Sequence, residues 1–311
     1  MTLVVGTDEA GYGPNLGPLV VAATAWRIAA DPDRVDERLA TAVEASAPGL
    51  WGDSKKLYRG GAGLDALERG VLVALALAGV PPPAAWPEFA ARLGGTANAA
   101  AAEPPEGDTL GRLALPRHRH DPPCEKRGAE VATSLAAAGV RLEAVRGRVV
   151  QPAEFNALLA AGLNKSDILS QITLDLAAEL AAAAAGEPVV VWCDRHGGRR
   201  RYAPQVARAF GITLVQPLGE SAERSCYALP AGGRIEFCVG GEARTPVAVA
   251  SMTAKYVREL AMLAFNEHWT GLLPGLAATA GYPGDANRWR GEAAAAVEAS
   301  GVAWDAVWRR A

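Results

Sequence analysis

Two continuous apolar runs joined by a glycine-rich turn open the chain, and they limit its fold more than any other feature. Leu3–Asp8 and Pro18–Trp26 (PLVVAATAW) are short and apolar with no polar alternation. Each therefore reads as a strand covered on both faces. The turn between them, Gly11–Gly17, is rich in the residue that lets backbone bend sharply or approach a ligand closely. A sheet buried on both sides needs helices on both sides, and the rest of the sequence supplies them. Helical patterns cover 33–46, 62–79, 165–185, 203–210 and 247–268, and Pro152 starts a shorter one. Strand patterns recur at 141–150, 187–194, 212–216 and 234–239. Strands alternating with helices predict an α/β fold.

The order weakens between 80 and 128, where Pro, Gly and charge accumulate. This reads as an inserted loop or small subdomain within one catalytic domain spanning 1–270. Residues 271–311 read as a helical extension packed on that domain, with one or two short helices.

Charge bounds the partners. The formal net charge is −3, from 31 basic and 34 acidic residues among 311, so any nucleic-acid contact needs a local basic patch. The four cysteines (Cys124, Cys193, Cys226, Cys238) are far apart, with no C-x-x-C pair. Reduced thiols and a cytoplasmic address are expected. The first residues lack the pattern of a signal peptide, and no apolar run is long enough to span a bilayer. A monomer is expected, with no membrane partner.

Four acids mark strand ends. Asp8 and Glu9 close the first strand, Asp194 closes the 187–193 strand, and Glu242 follows the 234–239 strand. Ligands of open α/β sheets bind at such ends, and gathered carboxylates repel one another unless cations intervene. Mg²⁺ or Mn²⁺, two ions in the active state, are the natural partners of an oxygen-only set. Any one acid taken alone reads first as a turn cap. Adjacent strand residues point to opposite faces, so Asp8 and Glu9 share a site only if the chain twists or bulges there.

Five motifs are more specific. GTDEAGYGPNLGPLVVAA, GDSKKL (52–57), GLNKSDILSQ (162–171), TPVAVASMTAKYVREL (245–260) and AGYPG (280–284) occur in that order. Together with the four acids they resemble the signatures of the type 2 ribonuclease H family, ribonucleases HII and HIII, over residues 3 to 284. The resemblance implies a ribonuclease H-like mixed sheet flanked by helices, a helical C-terminal part, and an endonuclease cutting the RNA strand of RNA–DNA hybrids. It implies Asp8, Glu9, Asp194 and Glu242 as metal ligands and catalytic acids. It also implies Gly11, Tyr12, Gly13, Lys55, Lys56, Ser251, Lys255, Arg258 and Tyr282 at the substrate. Departures are visible too. Tyr12 stands where ribonuclease HII enzymes usually carry Arg, Glu242 is the acid typical of ribonuclease HIII, and Asp194 sits in an unusual CDRHGG context.

Other features carry weaker readings. Arg195, Arg199, Arg200 and Arg201 form a cluster able to grip phosphates, or simply an exposed loop. His196 among them is a candidate for proton transfer. HRHDPPCE (118–125) offers His118, His120, Asp121 and Cys124, but without the spacing of a zinc site, so a solvated loop is expected. The readings that compete with the nuclease are a hybrid-binding protein without turnover, and a metal-dependent nuclease acting on another structured nucleic acid.

Overall fold

The computed structural model describes residues 1–52, 63–99 and 103–310, apart from the side chains of 95–99. Seven strands form one mixed sheet: β1 (Thr2–Ala10), β2 (Leu19–Ile28), β3 (Val140–Val150), β4 (Val189–Asp194), β5 (Pro217–Glu220), β6 (Arg224–Ala228) and β7 (Arg234–Cys238). Their order across the sheet is β3-β2-β1-β4-β7-β6-β5. β1, β2 and β3 form an antiparallel meander, whereas β4 runs parallel to β1 and β7 parallel to β4. The α/β class and the mixed sheet flanked by helices are what the structure holds.

Alternation along the central strands feeds two cores. Val4, Val20, Ala22, Trp26, Val190 and Trp192 face one side. There they meet α1 (Val35–Ser46), α2 (Gly63–Leu77), α3 (Trp86–Ala99), α4 (Gly107–Gly111), α5 (Cys124–Ala137) and α9 (Thr245–Leu272). Leu3, Val5, Val21, Val191 and Ile235 face the other side, against α6 (Pro152–Ala160), α7 (Lys165–Ala181) and α8 (Ala203–Phe210). Each large apolar side chain buried this way contributes about 1.5–3 kcal/mol, which explains why the two opening runs are apolar throughout. A third cluster packs α10 (Pro283–Ser300) onto the end of α9 through Trp269, Phe265 and Trp289, and it includes Leu16 of the glycine turn.

Two sequence expectations are corrected, at 212–216 and in the C-terminal part. The strand expected at 212–216 is absent; the chain turns there and then forms the hairpin β5–β6. β5 is an exposed edge strand, so it has no apolar pattern to announce it. The 80–128 stretch holds two helices and the start of a third, α5, and Phe89 and Leu93 bury against the main core. The single helix α10 runs 18 residues where short helices were expected.

α9 decides where the strand ends lie. It crosses β1 so closely that a Cβ on Gly6 would meet the Pro246 carbonyl carbon at 2.3 Å. Buried Thr24 Oγ1 donates to the Pro246 carbonyl at 2.8 Å and accepts from Trp26 Nε1 at 2.9 Å. Gly6→Ala should cost about 1–3 kcal/mol or more, because backbone rather than a flexible side chain blocks the added methyl. Urea denaturation of the variant beside the wild type measures this.

Candidate active site: an acidic cluster beside a glycine turn

Register brings two of the four acids together. Thr7 of β1 pairs with Cys193 of β4 in parallel, so Asp8 and Asp194, each one residue further on, stand at neighbouring strand ends. By alternation both face the α9 side, Asp8 with Val4 and Asp194 with Trp192. Glu242 follows on the turn Gly241–Ala243 between β7 and α9. Gly241 N–H donates to Asp194 Oδ1 at 3.1 Å, which holds that turn against the strand end.

Asp8 is 6% exposed. Its carboxyl is held well above the usual range, first by burial, then by the charges of Glu9 and Asp194, with a further contribution from Glu242. Ser251, buried on α9, opposes this through a side-chain hydrogen bond to Asp8. Strand pairing continues past Asp8 without a bulge: Asp8, Glu9 and Ala10 pair in regular register with Ala22, Val21 and Val20. By alternation Glu9 lies on the opposite face of the strand, where Tyr12 and Cys193 are raised first by burial, with Glu9 adding to it. The bulge that would bring Asp8 and Glu9 onto one face is absent.

The donor set suits a hard cation in kind: oxygen ligands only, close enough to repel one another around a buried member. Among the described residues no three His, Cys, Asp or Glu side chains converge closely enough to hold an ion. Asp8 and Asp194 share this face, and Glu9 and Glu242 stand near enough for their charges to act on Asp8.

The glycine turn has two distinct glycines. Gly11 is required by the fold: its φ is +85°, and a Cβ there would meet the Pro18 carbonyl oxygen at 2.5 Å and Arg258 Nε at 2.6 Å. Gly13 is exposed, needs no positive φ, and would place a Cβ 3.9 Å from the Tyr282 ring, an ordinary contact. Tyr282 itself is 56% exposed. Asn15 and Leu16 N–H donate to the Gly281 carbonyl at 2.8 and 3.3 Å, so the turn and the Gly-Tyr segment form one surface.

Arg258 is 5% exposed and donates to the Leu16 and Ala280 carbonyls at 3.3 and 3.1 Å. It therefore acts on that surface through the two segments it joins. Lys255, one turn nearer the acids, is half-buried. Tyr12 is partly buried, with Lys165 Nζ 4.9 Å above its ring. Lys55 and Lys56 lie outside the described residues.

The weaker readings sort differently. His196 is buried, its Nδ1 2.9 Å from Ser170 Oγ, and burial lowers it to about 3. It is a buried histidine held by Ser170, and burial disfavours its charged form. Arg195 and Arg199 are engaged by local carbonyls and by Asp167, whereas Arg200 and Arg201 are exposed. The 118–125 segment is largely exposed, as expected, but His120 and Cys124 are buried and its start is docked on the core. Buried Glu68 of α2 accepts from Arg117 N at 2.7 Å and His118 N at 2.8 Å, lies 3.0 Å from His120 Nε2, and accepts from Tyr256 Oη at 2.5 Å. The sequence hides this because Glu68 sits some fifty residues away, inside an apolar helix. All four cysteines are free, and among the described residues no helix is long and apolar enough to cross a membrane.

No family model and no curated protein matches the chain. Among solved structures, a ribonuclease HII in complex with PCNA from Archaeoglobus fulgidus shares 17% identity at a TM-score of 0.44, covering 99% of this chain and 94% of that one. A mutant Bst-RNase HIII shares 15% identity at 0.46, covering 98% of this chain and 65% of that one. Ribonuclease H2 from Pyrococcus horikoshii shares 16% at 0.42, covering 98% and 92%. The chain is similar to ribonucleases HII and HIII. The likeness is remote, and the chemistry of the site is carried by this chain's own residues.

The buried charge cluster should make stability depend on pH. Because the folded state holds the Asp8 proton more tightly, stability falls as pH rises above the unfolded value of about 3.9. Asp8→Asn should unfold at a higher temperature than wild type at neutral pH without divalent ions. That advantage should shrink as pH drops towards the unfolded value. Thermal melts in EDTA across this pH range check both signs.

Proposed function

We propose that this chain is a divalent-metal-dependent endonuclease that cuts the RNA strand of RNA–DNA duplexes, leaving 3′-OH and 5′-phosphate ends. The observation that carries the reading is the juxtaposition of Asp8 and Asp194 on neighbouring strand ends. Ser251 and Glu242 act on Asp8 there, and the glycine turn that follows β1 carries the exposed Gly13–Tyr282 surface. With Mg²⁺ or Mn²⁺ bound, the site gains an activated water and a stabilised leaving oxygen. Asp8, Asp194 and Glu242, with Glu9 next to Asp8 in the chain, would be the acids that hold the ions. Ser251 orients the Asp8 carboxyl.

Gly13 and Tyr282 receive the sugar of the RNA strand, where a 2′-OH separates RNA from DNA. Lys255, with Lys55 and Lys56, meets backbone phosphate, and Tyr12 supports the turn. A local surface of this kind answers the net charge of −3.

The test incubates purified protein with a labelled RNA–DNA hybrid and with DNA carrying one embedded ribonucleotide, in Mg²⁺ and in Mn²⁺. Wild type should cut in the RNA strand. Asp8→Asn and Asp194→Asn should each lose more than about 100-fold, since even outer-shell partners of a metal are worth 10–100-fold. Tight hybrid binding without cleavage would replace the nuclease with a binding protein, and cleavage of DNA-only junctions would replace the substrate.

Gly13 tests the turn separately from the acids. Because nothing in the fold demands glycine there, Gly13→Val should keep stability within about 0.5 kcal/mol. Hybrid cleavage should fall about 10-fold or more, by displacing the sugar from the turn. A variant with wild-type activity would remove the turn from the substrate surface.

A further inference from the structure

The glycine turn is held from beneath by a residue no motif announces. Arg309 is fully buried, and its guanidinium donates to the Gly11 carbonyl at 2.6 Å and to the Pro14 carbonyl. It lies 5.1 Å over the Phe155 ring. Arg309 N–H donates to the Asn15 carbonyl at 2.8 Å, Asn15 Nδ2 returns a bond to the Arg309 carbonyl at 3.1 Å, and Leu16 bridges Trp308 antiparallel. Asn156 of α6 fastens the same segment. Its Nδ2 donates to the Trp308 carbonyl at 2.7 Å and its Oδ1 accepts from Arg310 N at 2.9 Å.

The energetics set this residue apart from ordinary packing. Burial, and then the charge of neighbouring Arg258, lower Arg309 to about 9. Among the described residues no carboxylate pairs with it. An unpaired buried cation costs several kcal/mol, and an apolar side chain of similar volume fills such a place more favourably. What the guanidinium provides, and an apolar chain does not, is a buried Nη2 that donates to two carbonyls of one turn at once, while Nε and Nη1 find no hydrogen-bond partner among the described residues. With the Gly11 and Pro14 carbonyls drawn inward, the exposed tip at Gly13 is fixed against Tyr282.

The geometry points to Arg309 as the positioning residue that sets selectivity for ribose over deoxyribose at this turn, acting through the Gly11 and Pro14 carbonyls and without touching substrate. This rests on the function proposed above. Lys165 and Arg258 lie near the same turn. The charge of Arg309 is therefore one of several there, whereas the reach of its Nη2 to the Gly11 and Pro14 carbonyls together is its own, and Arg309→Lys, which keeps the charge on a shorter side chain, separates the two contributions.

The experiment measures equilibrium affinity of the full chain for an RNA–DNA hybrid and for the all-DNA duplex of the same sequence, with Ca²⁺ in place of Mg²⁺, and kcat on the hybrid in Mg²⁺. Arg309→Gln and Arg309→Lys should each shrink the hybrid-to-DNA affinity ratio about tenfold, the scale of one well-made polar contact. Their kcat on bound hybrid should change far less. Equal weakening of both duplexes, or a wild-type ratio in folded variants, overturns the inference.

Hydrogen exchange on the wild-type protein needs no variant to fold. Adding hybrid should slow exchange in 304–310 together with 11–17. Protection confined to 11–17 overturns the inference. A wild type that neither prefers nor cuts the hybrid removes the function proposed above and this inference with it, and it is read before any variant is made.

Discussion

Everything at the candidate site depends on how closely α9 is laid across β1. The contact is possible only because residue 6 has no side chain, so the Pro246 backbone can rest on the strand. Thr24 then ties the same carbonyl to β2. This crossing puts Ser251 at Asp8 and starts the helix directly after Glu242. Ser251, carried on that helix, is what opposes the repulsion at Asp8. Packing thus sustains the site: the buried apolar faces of β1, β2 and α9 hold charges together that would otherwise separate.

The second organising element is the surface made by the glycine turn and the Gly-Tyr segment. Neither is a regular element, yet each is fixed from several directions. Gly281 accepts from Asn15 and Leu16, Arg258 bridges Leu16 and Ala280, and Thr279 N–H bonds to Asn266 while its Oγ1 bonds to Asp285. Two buried arginines, Arg258 and Arg309, thereby rigidify a loop surface. The chain's acidic balance is compatible with this because the positive charge is local.

Much of the fold is legible in the sequence. The apolar opening strands, the long helix α9 and the strand ending at Asp194 announce themselves by period and by turn residues. The hairpin β5–β6 does not, since a short exposed edge strand needs no apolar face. The 118–125 segment looks like a solvated loop because polarity normally marks one. Its histidines and main-chain amides also converge on Glu68, a carboxylate that looks misplaced in an apolar helix until its partners arrive. His196 deceives for the same reason, its surroundings being supplied by Ser170, Tyr202 and Phe237 from other elements.

By itself the sequence determined the α/β class, the strand ends that carry Asp8, Glu9, Asp194 and Glu242, and the turn that carries Gly11 and Gly13. These are local matters of hydrophobic period and backbone freedom, written in consecutive residues. Tertiary structure alone decided that Asp8 and Asp194 share a face while Glu9 lies across the strand, that Gly13 is open whereas Gly11 is not, and that Arg309 closes on the turn from almost three hundred residues away. Strand register and the burial of an unpaired charge depend on which elements pack together, and no stretch of consecutive residues encodes that.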